Sequence, residues 1–250
     1  MRRPREPMYS LVAIIAWVAR ALWRWKVIVS GVENVPETGP VVLAINHSGY
    51  LDPIFAAWPV VFEKKRWVRY LAKKEVFDHK LSGPLMRGMK HISVDRRRAP
   101  LRALQASIEA LKSGEIIGTF PEATINRSFV PGKGKSGTVR MAQSSGAVVV
   151  PVAVWGAHRL LTKGRPRNLQ RGVAIMIRFG KPMRFDPEEN PKEATQRLMN
   201  EIRALLTEAQ IRYPQAPASD DDRWWLPAHL GGTAPAPEEV VPRKNEAGLS

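Results

Sequence analysis

The sequence predicts an α/β fold, a central mostly parallel or mixed sheet flanked by helices in three layers. Three observations carry that expectation. Short apolar runs bounded by turn residues recur along the chain, helical segments lie between several of them, and 250 residues suit one large domain with a sizeable core.

The elements follow in order. Residues 8–25 form an apolar helical stretch, preceded by Arg2, Arg3 and Arg5 and closed by Arg20, Arg24 and Lys26. Arg20 cuts the run below the about 20 apolar residues that span a bilayer, so a helix lying in or dipping into a membrane interface is expected. Trp17, Trp23 and Trp25 suit that depth. The alternatives are an ordinary core-packing helix and a signal peptide, the latter disfavoured because no small-residue cleavage site follows. Runs at 26–29, 41–45, 68–72, 92–94, 116–120, 148–154 and 173–179 read as strands, and 99–112, 138–144 and 191–212 as helices. The expected division is a membrane-associating helix over 1–26, one domain over 27–212, and a Pro- and Ala-rich tail over 213–250. That tail is expected to be flexible, with Trp224 and Trp225 docking locally on the domain, on a bilayer or across a groove.

Composition narrows the chemistry. With no cysteine, the chain has no disulfide, thiolate zinc site or cysteine nucleophile, and the five histidines at 47, 79, 91, 158 and 229 lack short metal-ligand spacing, so no metal is expected. The formal charge is +16. From Ser219 onward six acidic residues face three basic ones, a net of −3, which leaves +19 on residues 1–218. Such a surface attracts nucleic acid, anionic lipid or phosphorylated substrates. No zinc-finger spacing, RNP-like strand or KH clamp supports nucleic acid, and none is expected as a partner.

In open α/β sheets, ligands sit beyond strand ends. Residues 46–52, Asn-His-Ser-Gly-Tyr-Leu-Asp, directly follow the run at 41–45. A neutral imidazole can take a proton from a hydroxyl near pH 7, and a carboxylate on its other nitrogen fixes the tautomer. On a regular helix, residues five apart diverge by about 140°, so His47 and Asp52 meet only across a turn or a helix start, which Gly49 and Pro53 permit. Asp52-Pro53 also reads as an N-cap and first helical residue, with Asn46 and His47 serving loop backbone.

Four segments in order then resemble the membrane glycerolipid acyltransferases of the PlsC type, which acylate lysophosphatidic acid. They are Asn46-His47 with Asp52, Gly88 through Val94 with Asp95 and Arg96, Phe120-Pro121-Glu122-Ala123-Thr124 with Arg127-Ser128, and the Pro-containing strand around Pro151. The blocks span roughly residues 40–156. Ala123 stands where the family usually has Gly, and Ile125-Asn126 are inserted before Arg127, wording that resembles an actinobacterial branch.

The resemblance implies a single glycerolipid-acyltransferase-like domain and a transfer without cofactor. A fatty acyl group passes from acyl-CoA or an acyl carrier protein to the free hydroxyl of a lysophospholipid, giving phosphatidic acid from lysophosphatidic acid. His47 would be the general base and Asp52 its orienter. Without a Gly-x-Ser-x-Gly elbow, direct transfer is favoured over an acyl-enzyme, with Ser48 as nucleophile a minor alternative. Arg96 and Arg127 would bind the phosphate, with Lys73 a third candidate, although Arg96 to Arg98 also read as a solvated charge run. Glu122 would anchor its loop or position Arg127 near the substrate. Gly88 and Pro151 read as backbone devices, and Lys133 to Gly137 as a contact for coenzyme A phosphates or a surface turn. The implied location is monotopic, on the cytoplasmic face of the bacterial inner membrane among anionic lipids. Rival readings change the acceptor to glycerol 3-phosphate, another lysophospholipid or a glycolipid, or make the chain a non-catalytic membrane or nucleic-acid adaptor.

Overall fold

The computed structural model describes residues 6–95 and 100–240. All seven apolar runs become strands of one sheet: β1 (Lys26–Ser30), β2 (Val41–Ile45), β3 (Val68–Lys73), β4 (Ile92–Val94), β5 (Ile116–Thr119), β6 (Val148–Trp155) and β7 (Ala174–Phe179). Their order across the sheet is β1-β7-β6-β2-β5-β3-β4. Only β6 and β7 pair antiparallel; every other neighbour is parallel, so the sheet is mixed and mostly parallel. Pro151 sits inside β6. Val149 donates toward Met183, so the donor-less nitrogen of Pro151, two residues on, faces the same side, between the Val149–Met183 bridge and the Val152–Phe179 pair.

Helices cover both faces, which is why the central strands are apolar throughout. Along β2, Val41, Leu43 and Ile45 belong to one core and Val42 and Ala44 to the other. The first core is roofed by α1 (Pro7–Leu22), α2 (Asp52–Phe62) and α4 (Ser82–Gly88). The second is roofed by α5 (Pro100–Lys112), α6 (Gly137–Ser145) and α7 (Pro191–Ile211). The short α3 (Lys74–Asp78) joins β3 to α4. Asp52-Pro53 marks the start of α2, and no local signal marks α3 or α4. Pro59 inside α2 and the brevity of the other two conceal the helical period.

Helix α1 lies on the domain by one face. Met8, Tyr9, Val12 and Ala13 pack inward, and Gly88 leaves room for Met8, whose Cγ would stand 2.8 Å from an added Cβ. A buried ion pair fixes its start: both Glu6 carboxylate oxygens accept from Arg69 at 2.5 Å, and Arg69 also bonds the Met89 carbonyl and pairs with Glu115. The opposite face carries Leu11, Ile14, Ile15, Val18 and Leu22, all at least half exposed, with Trp17 beside them. No helix among the described residues is long and apolar enough to cross a membrane.

The segment expected to be flexible is packed over much of its length. It forms turns at Asp221–Trp225, Ala228–Leu230 and Pro237–Glu239, and Trp225 is 1% exposed in a third cluster with Trp155, Met176 and Leu206. The Trp225 indole faces the Arg159 guanidinium at 4.3 Å, and its carbonyl bonds Nε2 of His158. Trp225 docks on the domain, one of the places expected for it, while low hydrophobic periodicity hid the turns built around that anchor.

Candidate active site

Leu43, Gly118 and Tyr70 share one register row across β2, β5 and β3. Their strands run parallel, so His47, Glu122 and Lys73, four, four and three residues beyond that row, reach the same edge of the sheet.

The turn after β2 brings His47 to Asp52. Nδ1 of His47 lies 3.1 Å from Oδ2 of Asp52, and that oxygen also accepts the backbone N–H of Ser48 and of Gly49, each at 2.7 Å. Asp52 is fully buried, whereas the His47 side chain is 18% exposed. Helix α2 starts at Asp52, preceded by Leu51 as the N-cap. The carboxylate is therefore not an N-cap of the following helix; it reaches back over the preceding turn. Gly49 makes the turn possible, since a Cβ there would stand 2.8 Å from the His158 backbone. Asn46 bridges the end of β2 to Val154 of β6 through both amide groups, and the Ser48 carbonyl accepts from Thr162. The Ser48 hydroxyl is buried against Asn46 Nδ2, a structural position rather than one open to a substrate.

Behind the imidazole stands an aromatic stack. Phe120 lies 4.1 Å from His47, centroid to centroid, with 27° between ring planes, and Tyr70 lies 6.0 Å beyond Phe120. The Tyr70 hydroxyl bonds the Pro53 carbonyl at 2.8 Å, and Gly118 clears space for its ring: a Cβ there would be 2.2 Å from Tyr70 Cε1. Sequence reasoning assigned none of these three a role. The isolated Gly118 inside a strand run was the available signal, since such a glycine marks a close approach.

Both carboxylate oxygens of Glu122 are bonded within its own loop and to the turn after β2. Its Oε1 accepts the His47 N–H at 3.0 Å, and its Oε2 accepts from Asn126 Nδ2 at 3.0 Å and the Gly132 N–H at 3.1 Å. Burial pushes its carboxyl above the usual range, against the lowering effect of those donors. Asn126 in turn donates its N–H to the His47 carbonyl at 2.8 Å. The inserted Ile125-Asn126 therefore clamps the histidine, and Glu122 makes no hydrogen bond to Arg127. Ala123 holds φ +60°, a left-handed conformation that explains a preference for glycine there. Lys135 stands in a loop tied down by its N–H to Pro121 and by Arg203 on the carbonyls of Pro131 and Gly132.

Of the expected phosphate binders, the two that are described stand on different elements. Lys73, exposed, ends β3 beside Val94 of β4. Arg127, also exposed, lies against Gly164 on the β6 side of His47. Arg96 lies outside the described residues. Of the other histidines, burial pushes His91 down to about 4 and His158 to about 3, so both are neutral at pH 7.

Comparison with known proteins fits this geometry. The chain is 34% identical over 136 residues to a 1-acyl-sn-glycerol-3-phosphate acyltransferase of Bacillus subtilis, covering 53% of this chain and 66% of that protein. It is 29% identical over 176 residues to a protein of the same name from Borreliella burgdorferi, covering 68% and 66%. An uncharacterised protein of Mycobacterium leprae is 28% identical over 147 residues, 54% of this chain and 38% of that one. The chain thus spans just under two thirds of the length of the first two relatives. Its fold matches the crystal structure of the 1-acyl-sn-glycerophosphate acyltransferase PlsC of Thermotoga maritima with TM-score 0.67, at 22% identity, over 82% of this chain and 81% of that one. Residues 26–155, from the first strand through the sixth, match the family described as Acyltransferase, and the chain belongs to that family.

Proposed function

We propose that the protein transfers a fatty acyl group from a thioester, acyl-CoA or acyl carrier protein, to the free hydroxyl of lysophosphatidic acid, giving phosphatidic acid. The observation that carries this reading is the His47–Asp52 pair at the carboxyl ends of the parallel strands, with cationic residues to either side. The names of the bacterial relatives support the acceptor.

Asp52 holds Nδ1, which leaves Nε2 of His47 to take the acceptor's hydroxyl proton. The oxygen attacks the thioester carbonyl, the tetrahedral intermediate expels the thiolate, and the thiolate takes the proton from the imidazolium. Lys73 and Arg96 would hold the acceptor's phosphate, and Arg127 a second phosphate group. The exposed apolar face of α1 would rest in the interface at the cytoplasmic face of the membrane, with anionic lipids meeting the basic surface. The Mycobacterium leprae relative supports an actinobacterial branch.

The test is purified protein with labelled acyl-CoA or acyl carrier protein and a panel of lysophosphatidic acid, glycerol 3-phosphate, other lysophospholipids and a glycolipid. Preferred transfer to lysophosphatidic acid, lost in His47→Ala with the fold retained, is the expected result. Wild-type turnover in His47→Ala would sink the mechanism, and preference for another acceptor would replace the substrate.

A further inference from the structure

The carboxyl-terminal segment builds one wall of a cationic cavity. Trp225 is the buried anchor, and the chain after it folds back, with the Thr233 N–H on the Arg223 carbonyl and the Ala234 N–H on the Leu226 carbonyl. This holds the neighbouring Trp224 at the surface, its indole 5.2 Å from the Arg165 guanidinium. Between Trp224 and residues 165–169 lies a cavity of about 320 Å³. It shares Arg165 and Trp224 with a narrow cleft where Arg127 and Thr162 meet Ala234 and Pro235.

The charge there is of one sign. Residues 163–171, Lys-Gly-Arg-Pro-Arg-Asn-Leu-Gln-Arg, hold four cations and no acid, and Arg127 adds a fifth. Among the described residues, no carboxylate lies within ion-pair distance of Arg127, Arg165 or Arg167. Guanidinium groups without carboxylate partners, lining a cavity with an indole wall, suit a ligand that carries phosphates and a flat ring.

The cavity is fastened to the reaction centre through the adjoining cleft. Thr162, which lines that cleft, donates to the Ser48 carbonyl at 2.6 Å, the Tyr50 N–H bonds the Leu161 carbonyl at 3.0 Å, and Asn126 beside Arg127 bonds the His47 carbonyl. Lys73 stands on the other side, separated from β2 by β5, about 10 Å between strand axes. Coenzyme A brings several phosphate groups and a flat adenine ring, whereas the phosphopantetheine arm of an acyl carrier protein brings a single phosphodiester and no ring, so clustered guanidinium groups beside an indole select the nucleotide thioester. Two cationic sites flanking one histidine match that case.

We infer that this cavity binds the phosphorylated nucleotide end of an acyl-CoA donor, with Trp224 as the platform for the base and Arg165, Arg167 and Arg127 on the phosphates. The inference rests on the acyl-transfer reading and deepens it by choosing the donor.

The test titrates coenzyme A into the full-length wild type and into Arg165→Ala/Arg167→Ala, Trp224→Ala and Trp224→Phe variants, with folding checked by circular dichroism. Binding should weaken at least about tenfold in the first two and stay within about threefold of wild type in Trp224→Phe, which keeps a ring platform. In kinetics, KM for a long-chain acyl-CoA should rise similarly in the double variant, while KM for the matching acyl-pantetheine thioester, which lacks the nucleotide, should not follow. Coenzyme A binding that ignores these substitutions overturns the inference. So does an equal rise in KM for both thioesters, displacement of coenzyme A by anionic lipid vesicles, or transfer from acyl carrier protein alone without coenzyme A binding. Failure of the acyl-transfer reading looks different: no thioester yields product with any acceptor, although coenzyme A binds and the variants weaken it.

Discussion

Glu122 grips His47 by its backbone and not by its ring: the carboxylate accepts the His47 N–H at 3.0 Å, leaving the imidazole to Asp52. The donors from Asn126 and Gly132 on the other oxygen extend the grip across the whole 122–132 loop. Glu122→Gln turns an NH₂ group toward at least one of those donors. We expect a loss of about 1–3 kcal/mol in stability and a fall in kcat on the order of tenfold to a hundredfold through misplacement of His47. Urea unfolding and steady-state kinetics measure the two, and a kcat equal to wild type would contradict the positioning role.

The same carboxyl has a pH signature. Burial raises its folded pKa above the unfolded value, so the folded state binds more protons between the two, and the stability linked to Glu122 is lost as pH rises through that window. The difference in thermal midpoint between wild type and Glu122→Gln should therefore shrink from the ordinary carboxylate range upward. A difference that grows with pH would show that the bonds from Asn126 and Gly132 outweigh burial.

Ala123 adopts φ +60° without being a glycine. A left-handed alanine costs about 1–2 kcal/mol, and glycine's extra chain entropy returns about 0.5–1 kcal/mol of that. Ala123→Gly should stabilise the fold by about 0.5–1 kcal/mol, raising the midpoint by roughly 1–4 °C in differential scanning calorimetry.

Gly118→Ala places a methyl 2.2 Å from the Tyr70 ring, which is stacked with the Phe120 ring. Overpacking of this kind costs about 1–3 kcal/mol, and the displaced stack would disturb the His47 ring. Tyr70→Phe removes only the bond to the Pro53 carbonyl, about 1 kcal/mol. Activity should fall more in Gly118→Ala than in Tyr70→Phe; the reverse order would assign the stack no part in placing the histidine.

On α1, Ile14 is 60% and Ile15 57% exposed, so Ile14→Asn with Ile15→Asn should alter stability little. Cosedimentation with anionic vesicles should weaken at least about tenfold, because two apolar side chains no longer enter the interface. Unchanged cosedimentation would move the membrane contact elsewhere.

The strands were legible because each is a short apolar run with turn residues at its ends, and burial on both faces makes such runs continuous. The turn joining His47 to Asp52 was legible as a possibility, through Gly49 and Pro53. The aromatic stack was not: Tyr70, Gly118 and Phe120 meet only through the register of β3 on β5, which no local pattern encodes. Arg127 was located by an inserted loop whose path depends on Asn126 bonding the His47 carbonyl, a contact between residues 79 positions apart. Trp224 and Trp225 stood out by type, but their partners Arg165 and Arg159 could be found only in three dimensions.

One oxygen of Asp52 receives the imidazole and two backbone N–H groups together. The aim of the imidazole and the shape of its turn are thus a single mechanical variable, which leaves no mutational route that retunes one and spares the other. Divergence toward new substrates, by evolution or by engineering, would have to proceed at the rims, through the cations and the carboxyl-terminal wall, around a hub that stays as it is.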